Sequence, residues 1–220
     1  MQTPRRQSGA QSLGAQSAPA HSLDTRPSIV FLGTSLTAGL GVDPDSAYPA
    51  IIQRKLDSAG VRLRAVNAGV SGETSAGALR RLPDTLGDSV RLLVVETGAN
   101  DGLRGLDVDS TRANIAAIIR AARARHPAIA IVLTQMEAPP NMGPRFTAAF
   151  RAMYPSLARQ EHVALMPFLL AGVAGIDSLN QDDGIHPTPR GHRLVADNVW
   201  RTLQPLLSES AGKRATVEPR

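Results

Sequence analysis

The sequence predicts an α/β fold, a three-layer α/β/α sandwich around a five-stranded parallel sheet in the flavodoxin-like order 2-1-3-4-5. Five short apolar runs, Ile29–Leu32, Val61–Val66, Leu92–Val95, Ile129–Leu133 and Val163–Met166, have the length and composition of strands. Helical periodicity fills the intervals between them. Strands that alternate with helices pair in parallel and are covered on both faces. Polar, glycine-marked segments follow the first, second, third and fifth runs, which gathers them at the carboxyl edge of the sheet, where open α/β sheets hold their ligands.

The elements follow in order. The first run ends at Gly33 and passes through Thr34 to Ser35, whose neighbours fit the first turn of a helix, so the Ser35 hydroxyl stands free at a strand-to-helix turn. The plain alternative is that Ser35 or Thr34 only caps that helix. A second helix starts at Ser46 or Ala47, turns Ile51, Ile52 and Leu56 toward the core and stops at Gly60. The second run alternates with arginines, reads as the more exposed strand, and enters the loop Asn67–Thr74. Thr74 or Ser75 caps a short helix through Leu82, which Pro83 interrupts. The third run opens into the loop Glu96–Gly102.

From about Asp109 to His126, Ile115, Ile118, Ile119 and Ala122 form a buried stripe, with acids at the helix start and arginines at its end to match the dipole. Pro127 stops it. The fourth run leads to a loop at Pro139–Gly143 and a helix from about Arg145 to Glu161, carrying Phe146, Phe150, Met153 and Leu157 on one face and Pro155 as a bend. After the fifth run an irregular stretch reaches Asp183-Gly184-Ile185-His186-Pro187. A final helix runs from Thr188 to about Leu206.

At 220 residues with 42% hydrophobic content, the chain is one domain over 28–207. Residues 1–27, rich in Ser, Ala, Gln and Pro, read as a disordered extension, and 208–220 as a flexible tail. Arg5, Arg6 and Ala18-Pro19-Ala20 hint at the two ends of an export signal without its apolar centre. As written the chain reads as cytoplasmic; as the remnant of a truncated signal it reads as periplasmic or secreted. No run approaches the roughly 18 apolar residues of a membrane span, so stable membrane insertion is not expected. The absence of cysteine excludes disulfides and thiolate chemistry. Of the net charge of +5, the extension holds +2 and the tail +1. With 3% aromatics and no basic, aromatic-interleaved surface, nucleic acid is not an expected partner.

Each polar segment has a chemical use. A serine hydroxyl needs a neighbouring base, and neutral imidazole, with a pKa of about 6.5, accepts its proton. His186 is the candidate base and Asp183, three residues earlier, the carboxylate that orients its ring. The N–H groups of Ser35 and Gly72 and the Asn100 amide can face a developing oxyanion. Singly, these residues also read as caps, turns or loop polar groups. Asp182 competes with Asp183 but points elsewhere on the turn. His162 and His192 read as structural, His126 ends a helix, and His21 falls in the extension. The first loop lacks a P-loop ending and a complete G-x-G-x-x-G, and the scattered carboxylates make no metal-ligand set.

The blocks GTSL, VSGET, GAND and DDGIHP, in this order, resemble the four blocks of the SGNH (GDSL-type) hydrolases, and the flanking text resembles the bacterial thioesterase, lysophospholipase and arylesterase branch. The resemblance covers about Ser28 to Leu206. It implies Ser35 as nucleophile, Asp183 and His186 completing a triad, and Ser35, Gly72 and Asn100 as oxyanion donors. It also suggests that Leu103 and Arg104, within 102–105, and Pro139 and Asn141, within 139–143, border the acyl pocket. Thr34 departs from the family, whose motif usually has aspartate there. The expected function is hydrolysis of short to medium acyl or aryl esters, small residues such as Ala138, Pro139 and Gly143 favouring the shorter chains. The alternatives are an acyl-CoA thioesterase or lysophospholipase, or a non-catalytic ligand-binding domain on the same fold. Neither cofactor nor metal is expected, and the chain reads as a monomer or weak homo-oligomer.

Overall fold

The computed structural model describes residues 24–215. Most of the extension expected over 1–27, His21 included, and the last residues of the tail expected over 208–220 lie outside the described residues. Strand β1 (Ser28–Gly33) is buried along its whole length. It pairs in parallel on one side with β2 (Arg64–Gly69), through Ile29↔Ala65 to Gly33↔Gly69, and on the other with β3 (Val90–Val95), through Ile29↔Leu92 to Leu32↔Val95. A strand covered on both faces and both edges needs an unbroken apolar run, which Ile29, Val30, Phe31 and Leu32 supply, each at most 1% exposed. Strands β4 (Ala130–Thr134) and β5 (Ala164–Met166) complete the parallel order β2-β1-β3-β4-β5.

The helices are α1 (Ser35–Ala38), α2 (Tyr48–Ser58), α3 (Ser75–Thr85), α4 (Ala99–Leu103), α5 (Val108–Arg125), α6 (Pro144–Gln160) and α7 (Pro189–Ala215). The chain steps from β1 out to β2 and then crosses back to β3, and right-handed crossovers put helices reached in opposite directions on opposite faces. Accordingly α2 packs with α7, while α5 packs between α3 and α6. The change of direction falls between β1 and β3, so the loops after these strands diverge and leave a crevice. Among the described residues no helix is long and apolar enough to cross a membrane.

Four details differ from the sequence reading. Strand β2 begins at Arg64 rather than Val61, because the Val61 N–H closes α2 on the Leu56 carbonyl and pairing starts when the Arg64 N–H reaches Pro27. Helix α3 runs through Pro83 to Thr85; the proline removes one donor near the helix end, and the Leu86 N–H still reaches the Leu82 carbonyl at 3.1 Å. The segment after β3 folds as α4 rather than as a loop. Helix α7 continues through Pro205 to Ala215, past its expected end at about Leu206.

Candidate active site

The turn that presents Ser35 grows out of β1. Thr34 stays extended at φ −99°, and Ser35 opens the single-turn α1, which ends on Gly39 in the left-handed region at φ 78°. Gly33 tolerates no side chain, since a Cβ there would lie 2.0 Å from Thr37 Oγ1 and 2.6 Å from Glu96 Oε2. The buried Glu96 carboxyl, at the end of β3, accepts from the Thr34 N–H at 2.8 Å, the Thr34 hydroxyl at 3.0 Å and the Thr37 hydroxyl at 2.8 Å.

The segment after β5 comes back to this turn. Gln181 Nε2 donates to the Leu40 carbonyl at 2.7 Å and to Pro187 at 3.1 Å, and the Gln181 N–H donates to the His186 carbonyl at 2.7 Å. Asn180 bridges antiparallel to Pro187, and the Thr188 N–H closes the loop on Leu179. The half-buried His186 ring is thereby held with Nε2 2.8 Å from Ser35 Oγ and Nδ1 2.6 Å from Asp183 Oδ2. Asp183 Oδ1 accepts from the N–H groups of Ile185 at 2.9 Å and His186 at 3.0 Å. These bonds, the His186 N–H foremost, hold the Asp183 carboxyl down to about 2. Asp182 lies exposed on the same turn without a bond to the ring.

Gly72 and Asn100 reach the same rim. Neither the Ser35 nor the Gly72 N–H donates to another group among the described residues. Asn100 sits in the first turn of α4 and donates one Nδ2 proton to the Glu73 carbonyl at 2.9 Å, which orients the amide. Gly72 lies at φ +75°, and its carbonyl accepts from Arg104 Nη2 at 2.8 Å. Arg104 thus ties the loop after β2 to the loop after α4. Buried His192 takes no part: it stacks on Tyr48 with centroids 6.5 Å apart, and burial, then the His186 charge, pushes it down to about 4. His162 is a turn residue at φ 49°.

Sequence reasoning missed the groups that brace these loops. Arg81 chelates Glu73 at 2.7–2.9 Å and caps the carbonyls of Ala68 at 2.8 Å and Gly33 at 3.2 Å, the ends of β2 and β1. Buried Asp101 accepts from the N–H of Ser75 at 2.8 Å and its hydroxyl at 2.6 Å, fixing the start of α3 to α4. Glu96 offered one signal, a carboxylate directly after the apolar run Leu92, Leu93, Val94 and Val95.

The model of the GDSL-like lipase/acylhydrolase family matches residues 31–194. The chain belongs to this family. It is an SGNH hydrolase, and by class a carboxylic ester hydrolase. Esterase TesA of Pseudomonas aeruginosa is 42% identical over 180 residues, 81% of this chain and 89% of that one. Thioesterase 1/protease 1/lysophospholipase L1 of Escherichia coli K12 is 36% identical over 184 residues, 83% and 86% of the two chains. The crystal structure of psychrotrophic esterase EstA from Pseudoalteromonas sp., inhibited by monoethylphosphonate, superposes with a TM-score of 0.78 at 31% identity, over 83% of this chain and 99% of that one.

Within this SGNH hydrolase, Thr34 uses its hydroxyl inside the turn, as a donor to Glu96. Leu103 and Arg104 at the end of α4 lie against the loop of Pro139 and Asn141: Ala138 and Met142 crowd the space where side chains on Gly102 and Gly105 would go. Leu103 is 44% exposed. A cavity of about 400 Å³ lies beside the second loop, lined by Met142, Gly143, Pro144, Arg145, Phe146 and Ala149. Another, of about 700 Å³ between Arg62, Arg91 and Trp200, lies at the opposite edge of the sheet, away from Ser35.

Proposed function

We propose that this SGNH hydrolase cleaves short to medium acyl or aryl esters through an acyl-enzyme on Ser35. As Ser35 Oγ attacks the acyl carbon, its proton passes to His186 Nε2, and Asp183 keeps the ring tautomer and balances the imidazolium. The C–O bond to the leaving alcohol then breaks and His186 returns the proton to that alcohol. Water repeats the sequence on the acyl-enzyme, regenerating Ser35 and releasing the acid. The negative oxygen of each tetrahedral intermediate is met by the N–H groups of Ser35 and Gly72 and by Asn100 Nδ2.

What supports the reading is the unbroken line from Ser35 Oγ through the His186 ring to Asp183, at 2.8 and 2.6 Å, beside two unspent N–H groups. The acyl chain runs toward the loops of Leu103, Arg104, Pro139 and Asn141. Every residue in the scheme comes from one chain, so it requires no second copy, and it uses neither metal nor cofactor.

Turnover of p-nitrophenyl acetate tests the chemistry. Ser35→Ala and His186→Ala remove nearly all activity with the circular dichroism spectrum unchanged; retention of most of the wild-type rate in either overturns the scheme. Among p-nitrophenyl esters of rising chain length, with one acyl-CoA included, the short to medium esters turn over fastest. A clear preference for the longest chain or the thioester overturns the substrate assignment.

A further inference from the structure

The proposed mechanism leaves one buried ionisable group unused. Glu96 is 0% exposed and bonds to no cation among the described residues, yet its carboxyl lies directly under the turn that carries Ser35. Its donors all belong to that turn: the N–H and hydroxyl of the residue before Ser35, and the hydroxyl of Thr37, which is also linked to the Tyr48 hydroxyl at 2.7 Å. The Thr34 N–H can only donate. An ionised carboxylate satisfies this set as it stands, whereas a protonated acid must reverse a threonine hydroxyl to place its own proton.

We propose that Glu96 is a positioning residue for Ser35: by accepting from Thr34 and Thr37 its carboxylate fixes the nucleophile turn, and threonine at 34 is what allows that carboxylate to ionise. The inference rests on Ser35 acting as the nucleophile. An aspartate at 34, usual in the family motif, would bring a second carboxyl to about the hydrogen-bonding distance that the Thr34 hydroxyl now occupies, and two carboxyls that close do not both ionise. Threonine supplies a donor in place of a competitor.

The other ionisable groups around Glu96 are Tyr48 of α2, Tyr154 of α6 with Asp101 of α4 beyond it, and Arg81 of α3, which donates to the Gly33 carbonyl. Burial pushes the Glu96 carboxyl up to about 7, so its ionisation falls where esterase rates are measured.

The test is kcat and KM for p-nitrophenyl acetate against pH, with folding followed by circular dichroism. In the wild type, log kcat climbs with a slope above one, the ionisation of Glu96 adding to the requirement for a neutral general base. In Glu96→Gln the slope falls to one and kcat drops by about 10- to 100-fold, the upper end being the scale of a reacting group misplaced by about 1 Å, with KM nearly unchanged. Thr34→Asp stays active with a slope of one, because the two carboxyls share a proton. Thr34→Val loses kcat, and Thr34→Ser, which keeps the hydroxyl, restores most of it. Wild-type kcat and slope in Glu96→Gln, or equal kcat in Thr34→Val and Thr34→Ser should the glutamine variant fail to fold, overturn the proposal. Failure of the nucleophile assignment gives a different result, turnover retained in Ser35→Ala.

Discussion

Replacing Glu96 by glutamine removes an ionisation while keeping the side-chain outline, which turns the buried carboxyl into a measurable dependence of stability on pH. Burial pushes this group from the ordinary 4.5 up to about 7, against the opposing bonds from Thr34 and Thr37. The folded state therefore holds the proton more tightly than the unfolded chain does. The resulting stabilisation is complete below about pH 4.5 and is lost as the pH rises through about 7. Across that gap, at about 1.4 kcal/mol for each pH unit, the wild type loses about 3 kcal/mol that the glutamine variant has no means of losing. Urea unfolding of both proteins from about pH 4 to about pH 8 reads the difference directly, since all other groups titrate alike and cancel. The stability of Glu96→Gln relative to wild type should climb by about 3 kcal/mol over the range. A difference flat to within about 1 kcal/mol would refute the placement of an ionising carboxyl in this core.

Three further outcomes are expected. Asn100→Ala should lower kcat on p-nitrophenyl acetate by about 10²- to 10³-fold, the usual effect of removing one oxyanion donor; a loss under about threefold excludes the assignment. Asp183→Asn keeps the shape of the turn but replaces the anion beside His186 with a neutral amide, so kcat should fall by about 10⁴-fold with little change in KM; a loss under about tenfold on the same assay contradicts the role given to Asp183. Gly33→Ala forces a methyl to within 2.0 Å of Thr37 Oγ1 and should cost about 1–3 kcal/mol in urea unfolding together with most activity, and wild-type values of both contradict the packing under the turn.

The strand order and the meeting of Ser35, Asp183 and His186 were legible because their cues are local. Ile29 to Leu32 has no polar residue, Gly33 ends it, and a parallel sheet carries every loop that follows a strand to the same edge. The start of β2 was not legible. Arg62 and Arg64 imitate strand alternation, whereas the register depends on Gly69 lying so close to α1 that a Cβ would be 2.1 Å from the Ala38 nitrogen. Helix α4 was hidden for a similar reason, since Asp101 within it is held by Ser75 at the start of α3. Thr34 could be flagged from its motif, but its partner could not: Glu96 lies 62 residues away, and only the pairing of β1 with β3 brings the two together. Arg81 reads from sequence as one more arginine on a helix; its grip on Glu73, Ala68 and Gly33 exists only after the sheet has formed.

Ser35 and His186 come from opposite ends of the chain, 151 residues apart, and Gln181 fastens the later segment to the Leu40 carbonyl beside the earlier one. On the proposed mechanism, a polypeptide emerging from the ribosome holds its hydroxyl early and has no complete site until the segment carrying His186 has been made and has folded back onto the Ser35 turn. On the same mechanism, releasing that segment would separate the base from the hydroxyl without breaking any pairing of the sheet. The rate would then serve as a gauge of whether the two ends are joined.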